Sequence, residues 1–527
     1  MAGAAFFKRL DKSYLPVYVV FFFSLCYLVF LASSIHNGIF YAGDEGIKSM
    51  VVKQISAGYG FKYLHMGQPA WVQSIWQAGF IPLRAPFFYP SPSGYIIVFP
   101  PAFQIISAYF YSWLGYAGLY IIPLSCTLIL WVWMVLLLKR CGIRTSRIAM
   151  ALFVLVFCAP LTLYGAMFWE HLPAVLLLFA GLAFIVAPPT RLWGAIALGL
   201  ISGLAVWLRP EALMMDFLYA IAVIILYFRG GAQGQPEKRS VNIAFLAGLS
   251  FVVLTFFVFN KIEYGSILGV HGQQILVDNN PETRMGIHNG FRNLVANNVI
   301  SIRFFFFVLL LLPVVYRLLK KSKDTGDLRP GLLSGIVLVF CLATPFMLPN
   351  DGVIQWGARY FLAIIPVTIV ALFLVEKQWN ILEGRKIPLW LTCFIVLGTA
   401  YSFYHNTEKG GYKTMRWRYD HRLNASFDLL QKNPGSVVVL SHQAMSYDFA
   451  YLFDKNYFFA APGDDSLRRL LPLLKKYGVH QYIYMFDPRV PTLPKMLEDS
   501  TTSYLWDDAA KKPYIKDEFQ CKVYTIQ

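Results

Sequence analysis

Two adjacent carboxylates, Asp44 and Glu45, stand just beyond the first long apolar stretch, in the run Gly43-Asp44-Glu45-Gly46. An acid where a membrane helix meets water can take a proton from an incoming hydroxyl. Asp is also a favoured N-cap, so Asp44 could instead cap a helix beginning near Gly46, and both roles can hold at once. Glu45 fits better as a supporting acid in the first helical turn. Three arginines, Arg84, Arg209 and Arg359, are candidate grips for a phosphate. Arg359 has the strongest claim, because a guanidinium at the mouth of a late span can bind phosphate in bidentate fashion. The other reading of Arg359 is an interfacial anchor beside Trp356 and Tyr360. Glu170, His171 and Glu211 could orient an acceptor, or could simply begin helices, and a single Glu-His pair is no metal site. Asp216 lies a turn or more inside an apolar run, where a carboxylate is costly and a functional candidate by default.

The elements that must position these groups follow from composition. The chain has 527 residues, of which 57% are hydrophobic and 14% charged, and its mean hydropathy is +0.52. A soluble protein is nearer a quarter charged. The net charge of +17 does not point to nucleic acid, because the basic residues punctuate apolar runs as the positive-inside rule requires. Most of the seven cysteines lie within those runs and none forms a Cys-x-x-Cys pair, which gives no support to a zinc ribbon or a disulfide framework.

Apolar runs long enough to cross a bilayer begin with Leu15 to Ile35, which follows Lys8, Arg9 and Lys12 and reads as a retained anchor rather than a cleaved signal peptide. A long loop from about 36 to 118 follows. In it Ile47, Met50, Val51 and Ile55 share one helical face with Lys48 and Lys53 off it, the pattern of a helix lying on the membrane surface. A proline-dense section leads to a second apolar helix, Ala102 to Trp113, also read as juxtamembrane. Were it a span, the run from Leu119 to Leu138 would deliver Lys139, Arg140, Arg144 and Arg147 to the outer side. Further runs end with Leu389 to Tyr404 and bring the total to about eleven. The N-terminus then lies in the cytoplasm of a plasma (inner) membrane protein. The basic loops lie with it, and the acids and aromatics collect outside.

Beyond residue 404 short strands are expected at Ser436 to Leu440, Tyr457 to Ala461, Gln481 to Phe486 and Lys522 to Ile526, with a helix lined by Leu467, Leu470, Leu471 and Leu474. The expected division is therefore a membrane domain at 1–404 and an extracytoplasmic α/β domain at 405–527.

Outside the membrane an enzyme has no nucleotide sugars, so a donor must already have been carried across on a lipid. A sugar linked to a lipid phosphate needs a base, a cation for the leaving phosphate and a groove for the prenyl chain. In ordered landmarks the chain resembles the polytopic GT-C glycosyltransferases that use polyprenyl-phosphate sugars, of the protein mannosyltransferase and aminoarabinose transferase types. These landmarks are Asp44-Glu45 after the first span, Phe99-Pro100-Pro101 opening a juxtamembrane helix, and Phe168-Trp169-Glu170-His171 in an outer loop. They continue with Leu208-Arg209-Pro210-Glu211, Tyr264-Gly265-Ser266, and Trp356-Gly357-Ala358-Arg359-Tyr360-Phe361 before the soluble tail.

The resemblance implies that Asp44 is the general base of an inverting displacement. It implies a polyprenyl-phosphate sugar as donor and a glycan, lipid or protein as acceptor. It makes no cofactor certain and leaves a divalent metal open. A transporter or flippase, or a glycan polymerase or ligase acting on a lipid-linked saccharide, is the alternative. Transporters favour inverted repeats and broken helices in mid-membrane, whereas here the carboxylates gather in outer loops.

Overall fold

The computed structural model describes residues 12–34, 38–40, 43–65, 67–83, 87–232, 236–270, 328–347, 359–379, 389–404, 406–407, 413, 424–487, 494–498 and 519–526. Arg84, Trp356 and the expected span from Ile302 to Leu319 lie outside them.

In chain order, α1 (Leu15–Ser33) is followed by α2 (Gly43–Ser56), a hairpin of β1 (Phe88–Ser91) and β2 (Gly94–Ile97), and α3 (Pro101–Leu114). Next come α4 (Ile121–Arg140), α5 (Thr145–Phe157), α6 (His171–Val186), α7 (Leu192–Gly203), α8 (Ala212–Ala232) and α9 (Pro236–Tyr264). The later helices are α10 (Arg329–Met347), α11 (Ile364–Trp379) and α12 (Leu389–Tyr404). The tail adds α13 (Asn424–Lys432), β3 (Val437–Leu440), α14 (Gln443–Asp448), β4 (Tyr457–Ala460), α15 (Asp464–Lys476), β5 (Gln481–Phe486) and β6 (Gln520–Thr525).

The chain is a helical, polytopic membrane protein with a small α/β region. Every expected apolar run among the described residues holds a helix. By length and composition, 12–33, 101–140, 212–229 and 239–264 are long and apolar enough to cross a membrane, and several shorter apolar helices accompany them. The chain divides into two compact units, one of residues 1–32 and 122–412 and the other of 33–121 and 413–527. The first outer loop, grouped by sequence with the membrane part, thus clusters with the tail.

The membrane unit is held by close helix packing. A side chain at Gly199 or Gly248 would run into the backbone of the facing helix, so small residues let α7 and α9 come together. Phe184 of α6 stacks on Phe245 of α9 at 4.1 Å, adding an aromatic contact where the backbones cannot touch.

In the second unit β3 pairs in parallel with both β4 and β5, and β6 closes the sheet antiparallel to β5, giving the order β4-β3-β5-β6. The amphipathic α15 buries Leu467, Leu470 and Leu474 and carries Asp464 and Asp465 in its first turn and Lys475 and Lys476 in its last. Those charges complement its dipole. One hydrophobic core joins loop residues such as Ile47, Met50, Trp76 and Phe88 to tail residues such as Leu440, Phe449, Leu470 and Tyr484. The Trp76 indole donates to the Phe458 carbonyl at 2.9 Å, and Ser446 Oγ donates to the Pro82 carbonyl at 3.1 Å.

The surface-helix expectation for the stretch after Asp44 needs correction. Helix α2 starts at Gly43, before the acids, and buries Glu45 through Gln54 on all sides. The lysines expected to face water are instead enclosed, with Lys48 2% and Lys53 8% exposed. The helical spacing agrees with expectation, but the polar face is covered, Lys48 by Phe99 of the same loop and Lys53 by Tyr451 and Asp454 of the tail.

Gly43 and Gly46 explain how α2 can pack so closely. A Cβ at Gly43 would meet the Tyr447 side chain, and one at Gly46 would meet the Tyr447 carbonyl. Gly46→Ala should therefore destabilise this unit by about 1–3 kcal/mol, the usual cost of overpacking against backbone. A lower melting temperature and faster proteolysis of the tail would show it, and parental stability in the variant would remove this contact from the account.

Candidate functional site

The first constellation lies in the second unit, around the N-terminus of α2. Asp44 and Glu45 occupy its first turn, where the helix dipole favours negative charge. Asp44 is partly exposed while Glu45 is 1% exposed. Of the two acids, only Asp44 is presented to an incoming molecule. The helix facing this turn is α14, which leaves the C-terminal end of β3. Strand β3 is flanked in parallel by strands reached in opposite directions, the topological position at which open α/β sheets place their ligands.

Lys48, expected to face water, is enclosed. It lies one turn beyond Asp44, and its ammonium sits 4.8 Å from the centre of the Phe99 ring. That contact ties the acid-bearing helix to the segment opening the Pro100-Pro101 motif. The i to i+4 spacing of Asp44 and Lys48 was the available signal. Lys53 anchors the other end of the helix. Its ammonium bonds Asp454 Oδ1 at 2.8 Å and the Tyr451 carbonyl at 2.6 Å, and lies 3.6 Å from the Tyr451 ring centre. Burial pulls this ammonium below the usual lysine range, and Asp454 opposes the shift.

The second constellation lies in the membrane unit and brings together residues from two sequence motifs. Arg209 Nη1 is 3.4 Å from Glu170 Oε1 and 2.6 Å from His171 Nε2, and its Nη2 is 3.0 Å from Glu211 Oε1. A guanidinium can only donate, so the facing histidine nitrogen accepts. The His171 ring packs 4.7 Å from that of Trp169 and 5.4 Å from that of Tyr164. Glu170 and His171 are 6% and 3% exposed. This is an arginine-centred polar network in an aromatic wall, and its cation is already engaged by two carboxylates. Among the described residues, no group of three or more His, Cys, Asp or Glu side chains could hold a metal ion.

Arg359 opens a short turn before α11 and lies against its neighbour, donating to the Tyr360 hydroxyl at 3.0 Å with its guanidinium 4.9 Å from the ring centre. Asp216 is 2% exposed within α8 and accepts a 2.6 Å hydrogen bond from Ser202 Oγ.

The architecture of this chain is found in solved structures, among them the ArnT of Cupriavidus metallidurans bound to undecaprenyl phosphate and the same protein in its apo state. The first aligns over 97% of this chain and 98% of its own length, with a TM-score of 0.55 at 9% identity. The second covers 90% and 93%, with a TM-score of 0.51 at 10% identity. No protein-family model and no curated protein matches the sequence. The likeness is one of fold.

Arg209→Ala would leave the buried Glu170 carboxylate without its cation, a loss of about 3–5 kcal/mol for a buried pair. The melting temperature of the detergent-solubilised protein should fall by several degrees, and Glu170→Gln in the same background should restore part of it. A drop no larger than that of an exposed-arginine control would mean that the network carries no stability.

Proposed function

We propose that this protein is a membrane glycosyltransferase that moves a sugar from a polyprenyl-phosphate donor to an extracytoplasmic glycan, lipid or protein by inverting displacement. The observation that carries the reading is a partly exposed Asp44 on an otherwise buried helix, in a chain whose fold matches over nearly its full length a protein that binds undecaprenyl phosphate. A base held on a packed helix meets its substrate with little loss of orientation.

In the proposed step Asp44 takes the proton from the acceptor hydroxyl as that oxygen attacks the anomeric carbon. The bond from that carbon to the phosphate oxygen breaks, and prenyl phosphate departs with the electron pair. Because phosphate is already a good anion, no acid partner of the glycosidase kind is needed. Arg359 is the proposed grip for the departing phosphate, with Arg84 and Arg209 as further candidates. The engagement of Arg209 by Glu170, His171 and Glu211 favours a role in ordering the outer loops around an acceptor. Asp216 is the observation that favours the alternative, translocation of a lipid-linked saccharide, since a carboxylate inside a span is what transporters use.

Asp44→Asn separates base from cap, because Asn caps a helix about as well but takes no proton. Assayed with a panel of radiolabelled polyprenyl-phosphate sugars, this variant should keep its fold and donor binding and lose transfer by about 10²–10⁴-fold. Transfer near the parental rate would make Asp44 structural and return the search to Glu45, Glu170 and Glu211.

Arg359→Ala should raise the donor KM, and Arg359→Lys should restore only part of it, since an ammonium cannot make the paired contact. Unchanged donor KM and kcat would leave only the interfacial stacking on Tyr360.

The proposed orientation is tested by thiol labelling in a cysteine-free background. Single cysteines at the exposed positions 59 and 475 should react in intact cells, and one at position 140 only after permeabilisation. The opposite pattern would invert the topology and end the proposal of extracytoplasmic transfer.

A further inference from the structure

We propose that the basic end of the membrane unit holds a binding site for the headgroup of an anionic phospholipid. It is a cavity of about 490 Å³ with Arg140, Arg329 and Lys377 in its wall and Val186, Pro330 and Leu374 as apolar lining. Volumes of this order suit small ligands. The charge rule assigns this end, which also carries Lys139, Arg144 and Arg147, to the cytoplasmic leaflet. The inference is independent of the proposed transfer reaction.

Four helix ends build the cavity. Arg140 lies in the last turn of α4, Val186 ends α6, Lys377 lies in the last turn of α11, and Arg329 opens α10. Among the described residues lining it none is acidic. The cations on α4 and α11 have a structural role as well, because positive charge is favoured at helix C-termini. That role does not extend to Arg329, which stands at the positive end of its own helix dipole, where an anion is favoured instead.

The hydrogen bonds of the first two cations are made to carbonyls. Arg140 Nη2 donates to the Pro188 carbonyl at 3.2 Å, and Lys377 Nζ donates to the Cys141 carbonyl at 2.5 Å. A guanidinium has five N–H donors and an ammonium three, so each bond uses only part of the capacity. The chain also makes room for Lys377. Gly142 sits in a left-handed turn, and a Cβ there would lie 2.9 Å from Nζ.

Exposed apolar residues at this end of the helices favour a lipid over free phosphate. Leu136, one turn before Arg140 on α4, is 56% exposed, and Trp193 at the start of α7 is 81% exposed. Side chains of this kind face acyl chains and interfacial headgroups rather than water. Three cations and a helix N-terminus beside such surface match a phosphate with hydrocarbon attached.

The test uses the full-length protein, delipidated in detergent and titrated with dioleoyl phosphatidylglycerol, dioleoyl phosphatidylcholine or inorganic phosphate. Native mass spectrometry and thermal shift provide the readouts. Phosphatidylglycerol should remain bound and raise the melting temperature, and the other two should not. With about 1 kcal/mol per cation near the surface, the double variant Arg140→Gln, Lys377→Gln should bind it about 25-fold more weakly. The charge-conserving pair Arg140→Lys, Lys377→Arg should bind it nearly as the parent does.

Equal stabilisation by phosphatidylcholine, or an unchanged phosphatidylglycerol affinity in the double glutamine variant, would overturn the proposal. Inorganic phosphate acting as strongly as the lipid would overturn the lipid assignment. A double variant that is less stable without lipid yet keeps its full response to phosphatidylglycerol would show that the cations only cap helix ends, and the proposal would fall.

Discussion

The close approach of α2 to α14 is the constraint on which the second unit depends. Two glycines and two acids share one turn, and each pair sets a condition on the other. The glycines bring the helix against Tyr447, and this sets the Asp44-bearing turn against α14. The ion pair of Lys53 with Asp454 fixes the far end of the same helix. A buried ammonium is costly unless paired, so the tail supplies both the surface that excludes water and the carboxylate that makes its exclusion tolerable.

Much of this was legible in the sequence because the bilayer imposes a strong grammar. Apolar runs placed the helices, with α8 at Ala212–Ala232 and α12 at Leu389–Tyr404 close to expectation. The period-two strands of the tail were legible too, β5 at Gln481–Phe486 most cleanly. What escaped was tertiary burial. The lysines of α2 look solvated in any periodicity argument, since nothing local to them announces that Phe99 will meet Lys48 or that Tyr451 and Asp454, some 400 positions later, will enclose Lys53. The β1–β2 hairpin was hidden by the prolines around it, which argue for loop in a pattern-based reading.

The site residues divide along the same line. The sequence favours Asp44 over Glu45 by position and resemblance, and exposure, which sequence does not show, leaves Asp44 partly accessible while Glu45 is enclosed. The network joining Glu170 and His171 to Arg209 and Glu211 spans two motifs that sequence kept in separate roles. Its members are brought together by the packing of the helices that follow them, where Gly181 of α6 leaves room for the Tyr219 ring of α8.

The interleaving of residues 33–121 with 413–527 in one unit also bears on how the protein is made. The helix bearing Asp44 leaves the ribosome among the first segments, whereas β3, α14 and the closing strand β6 emerge among the last. Contacts of such large sequence separation are slow to form, because a long loop must close before they can. A nascent chain therefore exposes an apolar α2 throughout the insertion of the membrane helices. A chain stalled or cleaved before β3 would carry the acid pair on a helix that lacks the tail's part of its core.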